Sequence, residues 1–267
     1  MSPRRELRGV WLGRRPYAPV QALQHRLCAE RADGQVPDTV LLLEHTPVVT
    51  LGRGADPANV LLGEEALRAR GIDCERTSRG GDVTLHAPGQ LVVYPIIDLR
   101  PDRCDVRRYV RDLAETMRRV ALRHGVSAGE VSGKIGLWVD RASVGQWPGE
   151  AHAAEPAKIG AIGVRISRWV TMHGFALNLT TSADLYRLIV PCGIREYGVT
   201  SIAELTGRQP TVREEAGFAL EELASVLGGG VGGLEDWSGR DLSVPSVPPA
   251  PAPECHDAPA PFCPPPV

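Results

Sequence analysis

The strongest periodic pattern in the chain lies between Asp105 and His124. Val106, Tyr109, Val110, Leu113, Met117 and Val120 recur at helical spacing, with charged residues between them. That spacing predicts an amphipathic helix, and Gly125 supplies its stop. A second helix is predicted over Val20–Ala32, where Leu23 and Leu27 share a face and Gly34 ends the run. A third follows Thr211-Val212-Arg213-Glu214, a capping-box signature, with Phe218, Leu220, Leu223 and Leu227 as its apolar positions. Runs rich in β-branched residues read as strands: Val40–Leu43, Val48–Leu51, Leu91–Leu99, Ile135–Asp140, Lys158–Ser167 and Val170–Leu179. Strands and helices do not alternate regularly. The pattern predicts an α+β fold, a mixed and mainly antiparallel sheet backed by helices.

The pattern changes at its end. Gly228 opens a run Gly-Gly-Gly-Val-Gly-Gly, and ten of the 23 prolines fall between Pro245 and Pro266. The glycine run lacks the lysine and Ser/Thr of a phosphate loop, so it reads as a linker. The expected organisation is one folded domain over residues 1–230 and a Pro-rich disordered tail over 231–267. The polar segment Gly145–Pro156 is expected to be a loop.

Composition narrows the function classes. With 267 residues and 43% hydrophobic content, the chain can bury a large core. A net charge of −2 supplies no basic field for nucleic acid. No apolar run approaches the roughly 20 residues that span a bilayer. Val10-Trp11-Leu12 is too short for a signal-peptide core, so a cytoplasmic location is expected. None of the six cysteines forms a C-x-x-C pair, which argues against a zinc site. They are expected to be free thiols, and no metal is expected.

Only two of the 30 basic residues are lysines, Lys134 and Lys158. Arginine stays charged in proteins, whereas a partly buried lysine can act as a base. Lys158 opens Lys158-Ile159-Gly160-Ala161-Ile162-Gly163, a strand with little side-chain bulk. Downstream, Pro191-Cys192-Gly193 places a cysteine in a turn, and a nearby ammonium would favour its reactive thiolate. Two further segments carry candidate chemistry. Arg79-Gly80-Gly81-Asp82-Val83-Thr84-Leu85-His86-Ala87-Pro88-Gly89-Gln90 offers paired glycines for close backbone approach, with polar neighbours. Met172-His173-Gly174-Phe175-Ala176-Leu177-Asn178 alternates small and large residues, as a pocket wall would. Taken singly, each has a bland reading: a turn, a structural histidine, a structural lysine, a packed strand, an inert thiol.

Together, in this order, the four segments resemble the lipoyl(octanoyl) transferases, also called lipoate-protein ligase B. The family pattern resembles R-G-G-x-x-T-x-H-G-P-G-Q, K-I-x-x-x-G-x-R, H-G-x-A-L-N and P-C-G. Leu51-Gly52-Arg53 and Gly136-Leu137-Trp138-Val139 fit two further family elements. The resemblance covers about residues 8–227. Ala87 departs from the family's glycine, and the loop Gly145–Pro156 is longer than usual.

The resemblance implies a biotin/lipoate protein ligase-like fold, with residues 1–230 as the octanoyltransferase catalytic domain. It implies transfer of an octanoyl group from octanoyl-acyl carrier protein to a lysine of a lipoyl domain, without ATP. The lipoyl domains would be those of 2-oxoacid dehydrogenase complexes and the glycine cleavage H protein. No cofactor is expected beyond the phosphopantetheine that carries the donor acyl chain, and no nucleic acid or membrane partner. Cys192 would be the acyl-thioester nucleophile and Lys158 its base. Substrate-binding positions map to Arg79, Gly80, Gly81, Asp82, Val83, Thr84, Leu85 and His86, to Ala161, Ile162 and Gly163, and to Gly174, Phe175 and Ala176. Lys134 is assigned a structural or surface role. The rival readings are an ATP-dependent ligase of the same fold, a thioester hydrolase using Cys192 with His86 or His173, and a silent docking module.

Overall fold

The structure, a computed structural model, describes residues 5–190 and 197–243. Its centre is a mixed sheet buried on both faces. The strands β1 (Glu6–Arg15), β2 (Thr39–His45), β6 (Gln90–Ile96), β10 (Val170–Asn178), β9 (Pro156–Ser167), β8 (Lys134–Asp140) and β7 (Gly129–Val131) lie side by side in that order. β1 and β2 run parallel, and every later neighbour in that series is antiparallel. A smaller sheet orders β4 (Asp73–Arg76), β3 (Val48–Leu51) and β5 (Val83–His86).

Side-chain alternation explains the layers. Along β2, Val40 and Leu42 join one core while Leu41 and Leu43 join another. β6 divides in the same way, with Leu91 and Val93 against Val92, Tyr94 and Ile96. A strand apolar on both faces must be covered on both. The first core receives α3 (Val106–Arg123) and α5 (Val212–Val226) through Leu113, Met117, Val120, Leu220 and Leu223. The second receives α1 (Tyr17–Ala32) through Val20, Leu23 and Leu27. The small sheet has its own core of Val49, Val83, Leu85 and Leu67, the last from α2 (Glu64–Arg68).

All three predicted helices form. Asp105 caps α3 by accepting from Arg108 N at 3.0 Å. The Thr211 cap also forms, with Thr211 Oγ1 accepting from Glu214 N and donating to the Glu214 carboxylate at 2.7 Å, in place of the carboxylate–backbone bond of a full capping box. The mixed sheet agrees with the α+β expectation. Cys28 and Cys74 are free thiols as expected, whereas Cys104 is disulfide-bonded. Among the described residues no helix is long and apolar enough to cross a membrane.

The tail boundary needs correction. Residues 231–236, expected to be disordered, belong to β12 (Gly230–Asp236), which pairs in parallel with the outer edge of β1. Glycine weakens a strand but still donates and accepts in the ladder. What holds this edge follows it: Trp237 and Leu242 are buried in the core with α1. The Arg8 guanidinium lies 5.4 Å from the Trp237 ring centroid and pairs with Glu235 at 2.6 Å. The tail expectation for 244–267 lies outside the described residues. We expect Trp237→Ala to cost about 3 kcal/mol of stability, the scale for deleting a large buried aromatic. Urea denaturation checks this; a loss below about 1 kcal/mol would show the edge to be dispensable.

Candidate active site

The site begins with a break in the register of β9. Leu137 pairs with Gly160, and Trp138 with Lys158, so Ile159 is the extra residue of a bulge. Side-chain positions follow. Ala157 and Ile159 pack in the core with α3, and a Cβ on Gly160 would stand 2.7 Å from Met117 Sδ of that helix. Ile159 and Gly160 therefore face the same way, and parity resets between them. Lys158 now shares a face with Ala161 and Gly163, from both of which ordinary alternation would separate it. Lys158 is 5% exposed. A Cβ on Gly136 would lie 2.5 Å from Lys158 Cε, so the lysine stem needs that glycine. The Nζ stands 5.5 Å from the Trp138 ring centroid.

The same face opens into a cavity between the two sheets. Its walls are Arg79, Gly81, Thr84 and His86 from the first predicted segment, and Ala161, Ile162 and Gly163 from β9. Gly174, Phe175 and Ala176 from β10 complete the predicted set. Ile162 and Phe175 border the cavity, but their side chains pack in the core with α3. A Cβ on Gly174 would meet Val93 O at 2.2 Å, so this position allows no side chain.

The remaining predicted positions do other work. Alternation along β5 turns Val83 and Leu85 into the small sheet's core and Thr84 and His86 into the cavity. Gly80 donates its N–H to Val164 O at 2.9 Å and ties the turn to β9. Asp82 faces the neighbouring loop, accepting from Asp56 N at 3.0 Å and from Asn59 Nδ2 at 2.6 Å. Arg79 is a wall and a brace together. Its Nη2 donates to Thr50 O and to Asp82 O, both at 2.8 Å, and its Nη1 donates to Gly80 O at 3.1 Å.

Sequence reasoning did not place three residues of the cavity wall there: Tyr17, Tyr94 and His173. Tyr17 and Tyr94 carry no local signal. Each is brought in by a different element, and only the fold makes them neighbours. His173 was visible in its motif, but not its backbone, which holds φ at 60°. For a non-glycine residue that conformation is costly. Its N–H is held by Gln24 Oε1 of α1 at 2.9 Å.

These residues form a buried network with His45. The His45 Nδ1 bonds a carbonyl, Arg15 O at 3.0 Å, which requires a proton on Nδ1. Its Nε2 then accepts from Tyr94 OH at 3.0 Å. Tyr17 OH donates to Thr77 Oγ1 at 3.0 Å. His86 Nδ1 donates to Gln90 Oε1 at 2.7 Å, while Gln90 Nε2 donates to Asn178 Oδ1 at 2.9 Å. Burial pushes His45 down to about 4. Burial, reinforced by His45, pushes His86 down to about 3. Burial and then Arg79 take His173 to about 3. All three are neutral at pH 7, so the histidines add no charge to a wall that already carries the Arg79 guanidinium.

Cys192 lies outside the described residues. Both flanks of its segment are fixed. Val190 N donates to Asn59 O at 2.7 Å, and Ile189 bridges to Val60. Beyond the segment, β11 (Gly198–Val199) pairs in parallel with β9, Val199 opposite Lys158 itself.

The neutral histidines give a pH prediction. A lowered folded pKa means the unfolded chain binds more protons between about 3 and 6.5, so stability is full above that window and falls as pH drops through it. Going from pH 7 to pH 5 should cost up to about 2 kcal/mol per histidine. Denaturant unfolding at both pH values checks this, and equal stabilities would show that these rings are not held neutral.

The geometry can be set beside known proteins. Residues 16–224 match the lipoyl protein ligase A/B catalytic domain. An octanoyltransferase of Chloroflexus aggregans is 42% identical over 217 residues, 81% of this chain and 92% of that protein. An octanoyltransferase of Myxococcus xanthus is 47% identical over 197 residues, 74% of this chain, although the match spans only 53% of that longer protein. Solved structures share the fold. A bi-partite lipoate protein ligase from an archaeal lipoylation system of Thermoplasma acidophilum aligns with a TM-score of 0.66 at 14% identity, covering 87% of each chain. Lipoate-protein ligase A bound with ATP aligns at 0.61 and 16% identity, covering 86% of this chain and 87% of the other. The chain belongs to the lipoyl(octanoyl) transferase family, acyltransferases that move octanoyl groups in protein lipoylation.

Proposed function

We propose that the donor is octanoyl-acyl carrier protein, that Cys192 carries the acyl group as a thioester, and that Lys158 is its proton-transfer partner. The observation that carries this reading is the placement of Lys158. A bulge turns it onto the face of the cavity, and the strand that follows the Cys192 segment pairs against it. In the first step Lys158 takes the Cys192 proton, the thiolate attacks the octanoyl carbonyl, and the phosphopantetheine sulfur leaves and takes that proton back from Lys158. In the second, a neutral lysine amine of the acceptor attacks the acyl-enzyme, its surplus proton passes to Lys158, and the Cys192 thiolate leaves as the amide forms. Splitting the transfer in this way needs no ATP, because the donor thioester is already activated.

The acceptor is a lipoyl domain, a reading supported by the Thermoplasma ligase solved in a system with its E2 lipoyl domain. The octanoyl chain occupies the cavity lined by Gly163, Gly174 and Ala176. His86 is a poor rival base. At about 3 its pKa lies far from the operating pH that general-base catalysis favours. The protein acts in the cytoplasm, a reading supported by the lack of a membrane-spanning helix among the described residues.

Intact mass spectrometry after mixing with octanoyl-acyl carrier protein, without ATP, tests the reading. Wild type should gain one octanoyl group and lose it to an apo lipoyl domain. Cys192→Ser should gain none. Lys158→Arg keeps the charge but cannot accept a proton, and its turnover should fall by at least about a hundredfold. Transfer that appears only with ATP and free octanoate would overturn the proposal.

A further inference from the structure

The two lysines of this chain share one aromatic platform. Lys158 Nζ lies 5.5 Å from the Trp138 ring centroid. Lys134 Nζ lies 4.3 Å from that of Tyr197. The two rings meet at 5.5 Å and 78°, an edge-to-face contact. Trp138 is 1% exposed, and its Nε1 donates to Lys134 O at 3.0 Å, which fixes the indole plane. On the outer side, Glu150 Oε1 takes Lys134 Nζ at 3.3 Å, from the long loop between β8 and β9.

We propose that Trp138 is a positioning residue: its indole face holds the Lys158 ammonium at the site, and Tyr197 and Lys134 hold the indole. An ammonium this buried has lost most of its water, and a tryptophan face is the aromatic surface that attracts a cation best. The ring pairs with Lys158 across the bulge, so the distortion that turns the lysine toward the cavity also sets it over the indole. Lys134 thereby gains a role beyond the structural or surface one expected for it. The inference rests on the Cys192–Lys158 reading, because what Trp138 positions is the group that sustains the thiolate.

The test is the rate at which iodoacetamide alkylates Cys192 at pH 7, followed by peptide mass mapping. It reports the thiolate without needing either carrier. Mapping removes signal from other thiols, and burial already raises both Cys74 and Cys28, the latter to about 12. Lys158→Met sets the rate without the ammonium. Trp138→Leu should bring the rate down roughly tenfold, toward that of Lys158→Met, and Trp138→Phe should fall between Leu and wild type. Lys134→Met should lower the rate, and Lys134→Arg should restore it. Thermal unfolding of each variant is measured alongside. If Trp138→Leu does not fold, the Phe variant carries the test, and a wild-type rate there overturns the proposal. Rates that track melting temperature instead of the order Trp, Phe, Leu overturn it too, because that is the mark of packing alone. A slow Lys158→Met beside an unaffected Trp138→Leu rejects the platform and leaves the dyad standing. An unaffected Lys158→Met removes the dyad reading itself, and this inference with it.

Discussion

Everything in the site depends on one extra residue in β9. Ladder hydrogen bonds and the packing of α3 dictate which side chains of that strand point toward the helix. Ile159 and Gly160 both do, and the parity change between them is what allows a lysine and the small cavity positions to share a face. Removing the bulge while keeping the sequence would send either Lys158 or Ala161 into the apolar core. An unpaired ammonium there would cost more than the core could absorb. Two glycines make the arrangement possible. Gly160 yields to Met117 on one side, and Gly136 yields to the lysine stem on the other.

The cavity combines two demands that usually conflict. An alkyl chain needs an apolar surface, yet the wall contains Tyr17, Arg79, His86, Tyr94 and His173. The conflict is eased in two ways. The tyrosine hydroxyls are hydrogen-bonded within the network, and the histidines are held neutral by burial, although His173 Nδ1 is buried with no hydrogen-bond partner among the described residues. Arg79 spends its guanidinium on the carbonyls of Thr50, Gly80 and Asp82. Groups satisfied in this way present their carbon framework to a ligand at little desolvation cost. The Arg-Gly-Gly turn is thus chiefly a brace. Glycine at 52 serves the same brace, since a Cβ there would stand 2.3 Å from Gly81 O.

The sequence made the helices and the long strands legible because their periodicity is local. Asp105–His124 and the cap at Thr211 needed no tertiary information. β1 went unread because Arg8, Gly9 and Gly13 interrupt its apolar run. β12 was read as linker because a glycine strand carries no pattern, and its stability comes from Trp237 and Leu242 beyond it. The site divides similarly. Ordered motifs marked Lys158 and the small residues, and Arg79 to His86 as a block. Which members of that block face the cavity followed only from alternation along β5. Tyr17 and Tyr94 were invisible, because nothing near them in the chain announces that α1 and β6 converge on one pocket.

Asp82 shows how a residue can serve a cavity it does not line. One carboxylate oxygen receives Asp56 N, and the other receives Asn59 Nδ2. Asn59 O in turn receives Val190 N, the last described amide before the segment that contains Cys192. The backbone oxygen of Asp82 is held by Arg79. A continuous path of hydrogen bonds therefore runs from the cavity wall, through one aspartate and one asparagine, to Val190. On the far side of the Cys192 segment, Val199 is paired to Lys158. The lysine lies on the sheet, Val199 is paired to the strand that carries it, and Val190 is bonded to Asn59, whose side chain holds Asp82 of the turn. A shift of the Arg79–Asp82 turn would therefore be felt at Val190 as well as at the cavity wall, because one chain of hydrogen bonds joins them.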